Sequence, residues 1–298
     1  PIAVIGEQAD LTYPYEYLGE GIDTLADLAA GKGSFAEAWG KATRPIVIVG
    51  EAAVSHGAAW SKQIGRDVIA LAAQLATGPN VAEGWNGYAL LHHAAGRVGG
   101  IDIGFVPHDG GVCSADQIKL AGKDELDVLF LLGADEYDMT AMGKAFVVYI
   151  GTHGDAGAHR ADVILPAATY TEKSGTYVNT EGRVQMTERA VFPPGDAKED
   201  WAIIRALSAV VGQPLPFDSL SQLRAAMYAE FPHLARIDQV ATDRAGDIKS
   251  LARGSVDTTG AKLVASVSDF YLSNPIARAS ATMGECAALA AGLRQAAE

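Results

Sequence analysis

Glu172, Lys173, Asn179, Glu181 and Arg183 fall within twelve residues of one another, in a stretch hinged by Gly175 and Gly182. Asp162 and Pro166 precede them at the end of an apolar run, and Asp200 and Trp201 follow. Carboxylates beside a lysine and an arginine could transfer protons. They could equally hold a fold together, because charges near a core persist only where they satisfy one another. The second reading is preferred: a structural hydrogen-bonded network in which Arg183→Ala would cost about 3–5 kcal/mol if the charges are buried.

Other constellations read more plainly. Gly50 and Glu51 lie between an expected strand and helix, where backbone amides could hold a phosphate. A single glycine does not complete the dinucleotide fingerprint, and the glutamate would repel an anion, so a strand-to-helix turn is expected. His153, Asp155 and His159 lie within seven residues but match no established metal spacing, and are read as loop residues capping the next element. His92 and His93 are expected on one helix, where adjacent positions point about 100° apart and do not chelate together. Cys113 has Asp109 and Asp116 nearby and no basic neighbour to lower its pKa. Neither a nucleophile elbow nor a paired-histidine zinc helix occurs, so hydrolytic chemistry has no candidate.

The elements that must position these residues alternate. Short β-branched runs at 46–49, 128–132, 146–150 and 163–165 each end near Gly or Pro and read as strands. Between them, 58–75 and 87–98 carry apolar residues at helical spacing, and 21–40 reads as a helical connection. Residues 108–114 read as a surface loop. After Tyr170 comes a polar, Gly-punctuated stretch to Gly195, then helices at 200–211 and 219–230, a linker or extended strand over 241–259, and a closing helix over 276–297. This βαβ pattern predicts an α/β fold, a mostly parallel sheet with flanking helices over residues 1–212, and a mainly helical C-terminal extension over 213–298.

The 298 residues are 49% hydrophobic and 20% charged, enough for a large core. A net charge of -13 excludes a phosphate-backbone partner, which requires clustered Lys and Arg. No apolar run approaches the roughly 18 residues of a membrane span, so any membrane association is expected through partners. Cys113 and Cys286, the only cysteines, suit a reducing compartment and do not suffice for an iron-sulfur cluster. Pro1, followed at once by an apolar run, reads as the middle of a longer polypeptide.

The strings A-D-V-x-L-P from Ala161, E-K-x-G-T-x-x-N-x-E-G-R from Glu172 and P-x-G-x-A-x-x-D-W from Pro193 occur here in that order. They resemble the signature of the molybdopterin oxidoreductase superfamily, over residues 44–212. LFLLGAD (129–135), GTHGDAGA (151–158), DWAIIRALS (200–208) and FYLSNPIARASATMGEC (270–286) narrow the resemblance to the large iron-sulfur subunit family of proton-pumping NADH:quinone oxidoreductase (complex I). That resemblance implies a scaffold segment with no cofactor and no catalytic residue of its own. The whole subunit would carry 2Fe-2S and 4Fe-4S clusters and relay electrons from NADH-reduced flavin towards quinone. Its implied partners are the other hydrophilic-arm subunits, including the flavin- and NADH-binding one. Its implied place is the cytoplasmic side of a bacterial inner membrane, or the matrix side of a mitochondrial one. The alternatives are part of a catalytic molybdoenzyme such as a formate dehydrogenase, and a free-standing nucleotide-binding module, which lacks its phosphate loop.

Overall fold

Leucines and isoleucines at helical spacing build the first of two compact units. In the computed structural model the described residues are 1–55, 62–240, 245–252, 260–265, 267 and 269–297. The first unit takes 1–98, 179–183 and 240–268, and the second takes 99–178, 184–239 and 269–298.

In the first unit β1 (Ala3–Ile5) and β2 (Glu16–Gly19) pair in parallel. Next come α1 (Ile22–Ala29) and α2 (Ala36–Lys41), within the expected helical connection. β3 (Val47–Gly50) passes directly into α3 (Glu51–Ser55); α4 (Lys62–Ala76) follows, and β4 (Tyr88–Leu91) lies parallel to β3. Positions 58–61 of the expected helix fall outside the described residues. Val68, Leu71, Ala72 and Leu75 of α4 share a core with Ile22, Leu25 and Leu28 of α1 and Val49 of β3. Each large aliphatic fully buried there contributes roughly 1.5–3 kcal/mol. Ala261 and Leu263 join the same core, tied down where the Ile22 N–H donates to the Ala261 carbonyl (3.0 Å) and the Leu263 N–H to that of Glu20 (2.7 Å).

The helix expected over 87–98 is not formed: that stretch holds β4 and the start of α5 (Arg97–Asp102). A short apolar run fits either state by periodicity alone, and here the ladder offered by β3 decides it. His92 and His93 therefore leave the end of a strand instead of riding on a helix.

The second unit contains α6 (Ser114–Gly122), β5 (Val128–Leu132), β6 (Phe146–Gly151), α7 (Ala156–Arg160) and β7 (Val163–Pro166). The three strands form one parallel sheet in the order β5-β6-β7. β6 is central, so Val147, Val148, Tyr149 and Ile150 are all buried. One sheet face packs Leu129, Leu131, Val147 and Tyr149 with Ala121 and Met142. The other packs Val148 and Ile150 with Ala167 and, from α8 (Asp200–Val210), Ile203.

The polar stretch before α8 holds an antiparallel pair, β8 (Gly175–Val178) and β9 (Val184–Thr187), which the residue pattern alone does not separate. α9 (Leu220–Glu230) matches its expected helix. In the first unit, α10 (Ala245–Leu251) packs on α4, where a linker or extended strand was expected; 241–244 and 253–259 are outside the described residues. The expected closing helix is two, α11 (Pro275–Arg278) and α12 (Ala281–Ala297). Asn274 caps α11 by accepting the Ala277 N–H at 2.9 Å, with Pro275 in the first turn, and the Ser280 hydroxyl at the break accepts the Met283 N–H at 3.4 Å. The α/β class with parallel strands stands, but among the described residues as three separate parallel sheets and a hairpin. Among the described residues no helix is long and apolar enough to cross a membrane.

Candidate functional site

Parallel α/β sheets bind ligands beyond the carboxyl ends of their strands. At that edge of the β5-β6-β7 sheet lies a crevice of about 640 Å³. Strand ends supply Gly133, Ile150, Gly151 and Thr152; Tyr170, Lys173 and Asp200 form another wall; Asn274 to Met283 run across it. Its floor holds Asp135, only 7% exposed. Asp135 Oδ2 accepts the Tyr149 hydroxyl and Oδ1 accepts the Gly157 N–H, both at 2.8 Å. Burial, then the Asp135 hydrogen bond, push the Tyr149 phenol well above its usual range, so it stays a protonated donor.

Two glycines of GTHGDAGA make this packing possible. A Cβ on Gly151 would lie 2.2 Å from the Tyr149 ring and hydroxyl, and one on Gly157 would lie 2.7 Å from Asp135 Oδ1. Gly151→Ala is expected to cost about 1–3 kcal/mol through displacement of the Tyr149 ring, read as a lower urea midpoint.

Asp155 caps α7, its Oδ1 accepting the Ala156 N–H at 2.8 Å, in keeping with the capping role expected of that loop. Arg278 Nε donates to Asp155 Oδ2 at 2.5 Å, and this bond leads in holding the Asp155 carboxyl below its usual range. The segment crossing the crevice is thus pinned to the loop after β6. His153 Nδ1 bonds the Thr152 hydroxyl at 2.8 Å. Among the described residues no group of three or more His, Cys, Asp or Glu is placed to hold a metal.

The motif residues expected to form one network separate into local pieces. Asp162 Oδ2 accepts the Val147 N–H at 2.7 Å, tying the start of β7 to β6, and Pro166 ends β7 with its carbonyl accepting the Lys198 N–H at 3.1 Å. Glu172 closes a turn by accepting the Thr169 N–H at 3.0 Å. Lys173 is ion-paired with Asp200 at the start of α8, and Trp201 Nε1 donates to Glu199 at 2.9 Å. The Gly175 N–H donates to the Thr187 hydroxyl at 3.0 Å. Asn179 Oδ1 accepts the Glu181 and Arg183 N–H groups, and Gly182, at φ +79°, completes the turn.

Arg183 Nε meets Glu181 Oε1 at 2.8 Å with side chains 33% and 53% exposed, so the buried-charge premise fails for that pair. The tight turn leaves the pair only partly covered, which reduces its worth towards the about 0–1 kcal/mol of an exposed pair. With the side chains 33% and 53% exposed, Arg183→Ala is expected to cost less than the about 3–5 kcal/mol of a fully buried pair, and a change in urea midpoint worth that much would restore the buried reading.

The first unit holds a second constellation whose members look unrelated in the sequence. Glu51, 9% exposed at the start of α3 just after β3, accepts the His93 N–H at 2.8 Å and an Arg97 Nη2 hydrogen at 3.1 Å. His92 and His93 Nδ1 stand 3.6 and 3.5 Å from the same carboxylate. Burial alone would raise the Glu51 pKa, but the His93 amide, Arg97 and the imidazoles together hold it below its ordinary value. No sequence signal groups them: it is the pairing of β3 with β4 that sets Gly50 opposite Leu91 and so brings the next residues of both strands together.

A sequence profile of the molybdopterin oxidoreductase family matches residues 1–210. The chain belongs to that family. The match reaches further back than the 44–212 legible from motifs. A second profile, for the C-terminal region of the G subunit of NADH-ubiquinone oxidoreductase, matches residues 238–286. The chain is 37% identical over 288 residues to the NADH-ubiquinone oxidoreductase 75 kDa subunit of Reclinomonas americana, and 38% identical over 294 residues to the mitochondrial 78 kDa subunit of Neurospora crassa. It is 34% identical over 286 residues to the NADH-quinone oxidoreductase G subunit of Rickettsia bellii. Each alignment covers 96% of this chain but 40%, 37% and 39% of the respective relative, so the chain spans about two fifths of their length.

Membership in the molybdopterin oxidoreductase family implies a phosphate-bearing pterin, and the strand-end crevice does not suit one. Among the described residues Lys173 is the single cation lining it and is already neutralised by Asp200, and Asp135 adds a second carboxylate. A phosphate there would meet two carboxylates and one already paired cation, with only neutral hydroxyl and amide donors such as Thr152, Tyr170, Asn274 and Ser280 besides. No chemical step is assigned to that group.

Proposed function

We propose that the chain is a structural and interaction segment of the large iron-sulfur subunit of NADH:quinone oxidoreductase, with neither a catalytic nor a cofactor-binding residue of its own. The 238–286 match carries this reading, because it lies outside the part shared with other molybdopterin oxidoreductases. In it the complete subunit, holding 2Fe-2S and 4Fe-4S clusters, passes electrons from NADH by way of flavin to quinone, coupled to proton pumping. By profile matches, residues 1–212 form the family part and 213–298 an added part, although 240–268 packs into the first compact unit and 213–239 and 269–298 into the second. Asp162, Pro166, Glu172, Lys173, Gly175, Asn179, Glu181, Gly182, Arg183, Asp200 and Trp201 serve structure, as their local pairings favour. The partners are hydrophilic-arm subunits, among them the flavin- and NADH-binding one. The place is peripheral, on the cytoplasmic side of a bacterial inner membrane, or on the matrix side if the source is mitochondrial.

A catalytic molybdoenzyme of the formate dehydrogenase kind is disfavoured by the charge of the crevice. Metal and pterin analysis of the native complete subunit, purified with its partners, decides between them. Iron without molybdenum or pterin is expected; stoichiometric molybdenum and pterin would overturn the scaffold reading.

A further inference from the structure

The segment that crosses the strand-end crevice is not held there by the core. Pro275, Ile276, Ala277, Ser280 and Met283 line the crevice. Yet not one of residues 269–286 is buried: Phe270 is 79% and Ile276 39% exposed, and the first buried position is Ala287 of α12, at 7%. Burial of apolar surface is what normally seats such a segment, and here it is nearly absent.

Its hydrogen bonds are almost all its own. The Tyr271 N–H donates to Asp269 and Asn274 caps α11. The Arg278, Ala279 and Ser280 amides donate to carbonyls within the segment, and Ser280 accepts the Met283 N–H. Among the described residues one polar contact leaves residues 269–283, from Arg278 Nε to Asp155 Oδ2 at 2.5 Å. The two side chains of that pair are 28% and 27% exposed, so water competes for it. Arg278 Nη2 is enclosed without an acceptor, which leaves the closed position one hydrogen bond short.

Segments with little buried surface and few long-range bonds open locally while the rest of a domain stays folded. The crevice, at about 640 Å³, is of small-molecule size. We infer that residues 269–283 form a lid on the strand-end crevice, closed by a single latch, Arg278 to Asp155. The break between α11 and α12 at Ser280 lets α11 move without the helix that follows. Release of the latch opens the crevice at Gly151 and Thr152, which line it with the lid.

The lid involves only the second unit, so it stands or falls apart from the subunit reading. The test is hydrogen exchange, read by mass spectrometry on the complete subunit in its assembled enzyme, for wild type, Asp155→Asn, Arg278→Gln and the double variant. Asp155→Asn keeps an oxygen to cap α7 while removing the charge. Each single variant is expected to speed exchange at 278–280 and 151–152 about tenfold or more, with the interior of β6 at 147–149 unchanged. The double variant is expected to go no further than the faster single one, because both remove the same contact. Arg278→Lys, which keeps the charge, is expected to fall between wild type and Arg278→Gln. Unchanged exchange at 278–280 would mean that something other than the latch holds the segment, a neighbouring subunit included. Equal acceleration through β6 would mean that the pair supports the sheet and not a lid, and additive effects would mean two separate contacts. Each of these results overturns the inference.

Discussion

Asp135→Ala is expected to lower stability by about 2–3 kcal/mol, because it leaves one buried donor without an acceptor, at about 1–3 kcal/mol, and another with only a long 3.3 Å bond to the His153 carbonyl. Those donors are the Gly157 amide and the Tyr149 hydroxyl, the latter on a side chain only 2% exposed. The residue also fixes the distance between β6 and α7, so its loss should loosen the loop holding Asp155 and, through it, Arg278. Asp135→Asn retains one carbonyl oxygen and should cost less, and Tyr149→Phe, which removes a single donor, about 1 kcal/mol. Urea unfolding of the three variants checks the order. Equal, small losses in all three would mean that crevice water replaces the carboxylate, and would remove Asp135 as the organiser of the strand ends.

Glu51→Ala is expected to cost about 2–3 kcal/mol. Breaking a buried ion pair usually costs about 3–5 kcal/mol, and the 53% exposure of Arg97 reduces its share. The same cluster sets a pH dependence. Because the folded Glu51 pKa lies below its ordinary 4.5, its contribution is fully present above that value and is lost as pH falls through the lower folded one. The wild-type chain should therefore lose more stability than Glu51→Gln on acidification below pH 4.5, measured as urea midpoints across that range. Parallel acid profiles for the two would show that folding leaves the Glu51 pKa unshifted.

Local pattern alone identified the class of the chain and most of its elements. β5 was found at its true limits because a five-residue apolar run beside turn residues has few other uses, and α9 was found within a residue because its spacing is helical throughout. The ordered family strings determined the superfamily, since turns and strand ends that need particular residues leave them at particular distances. Tertiary contact decided the rest. Whether the run at Tyr88 became strand or helix depended on the neighbouring β3 ladder, and that choice alone brought His92 and His93 to Glu51. The pairing of Asp135 with Tyr149 joins residues fourteen apart that meet only because β5 and β6 lie side by side. Burial is likewise not written into a residue type: Arg183 and Asp135 are both charged residues of family strings, yet a turn leaves one a third exposed and a strand end holds the other, 7% exposed, beneath a crevice. Sequence determined which groups the chain carries, and the packing of parallel strands determined which of them lost water and had to find one another, because the cost of burying a charge exists only once the surrounding chain has closed over it.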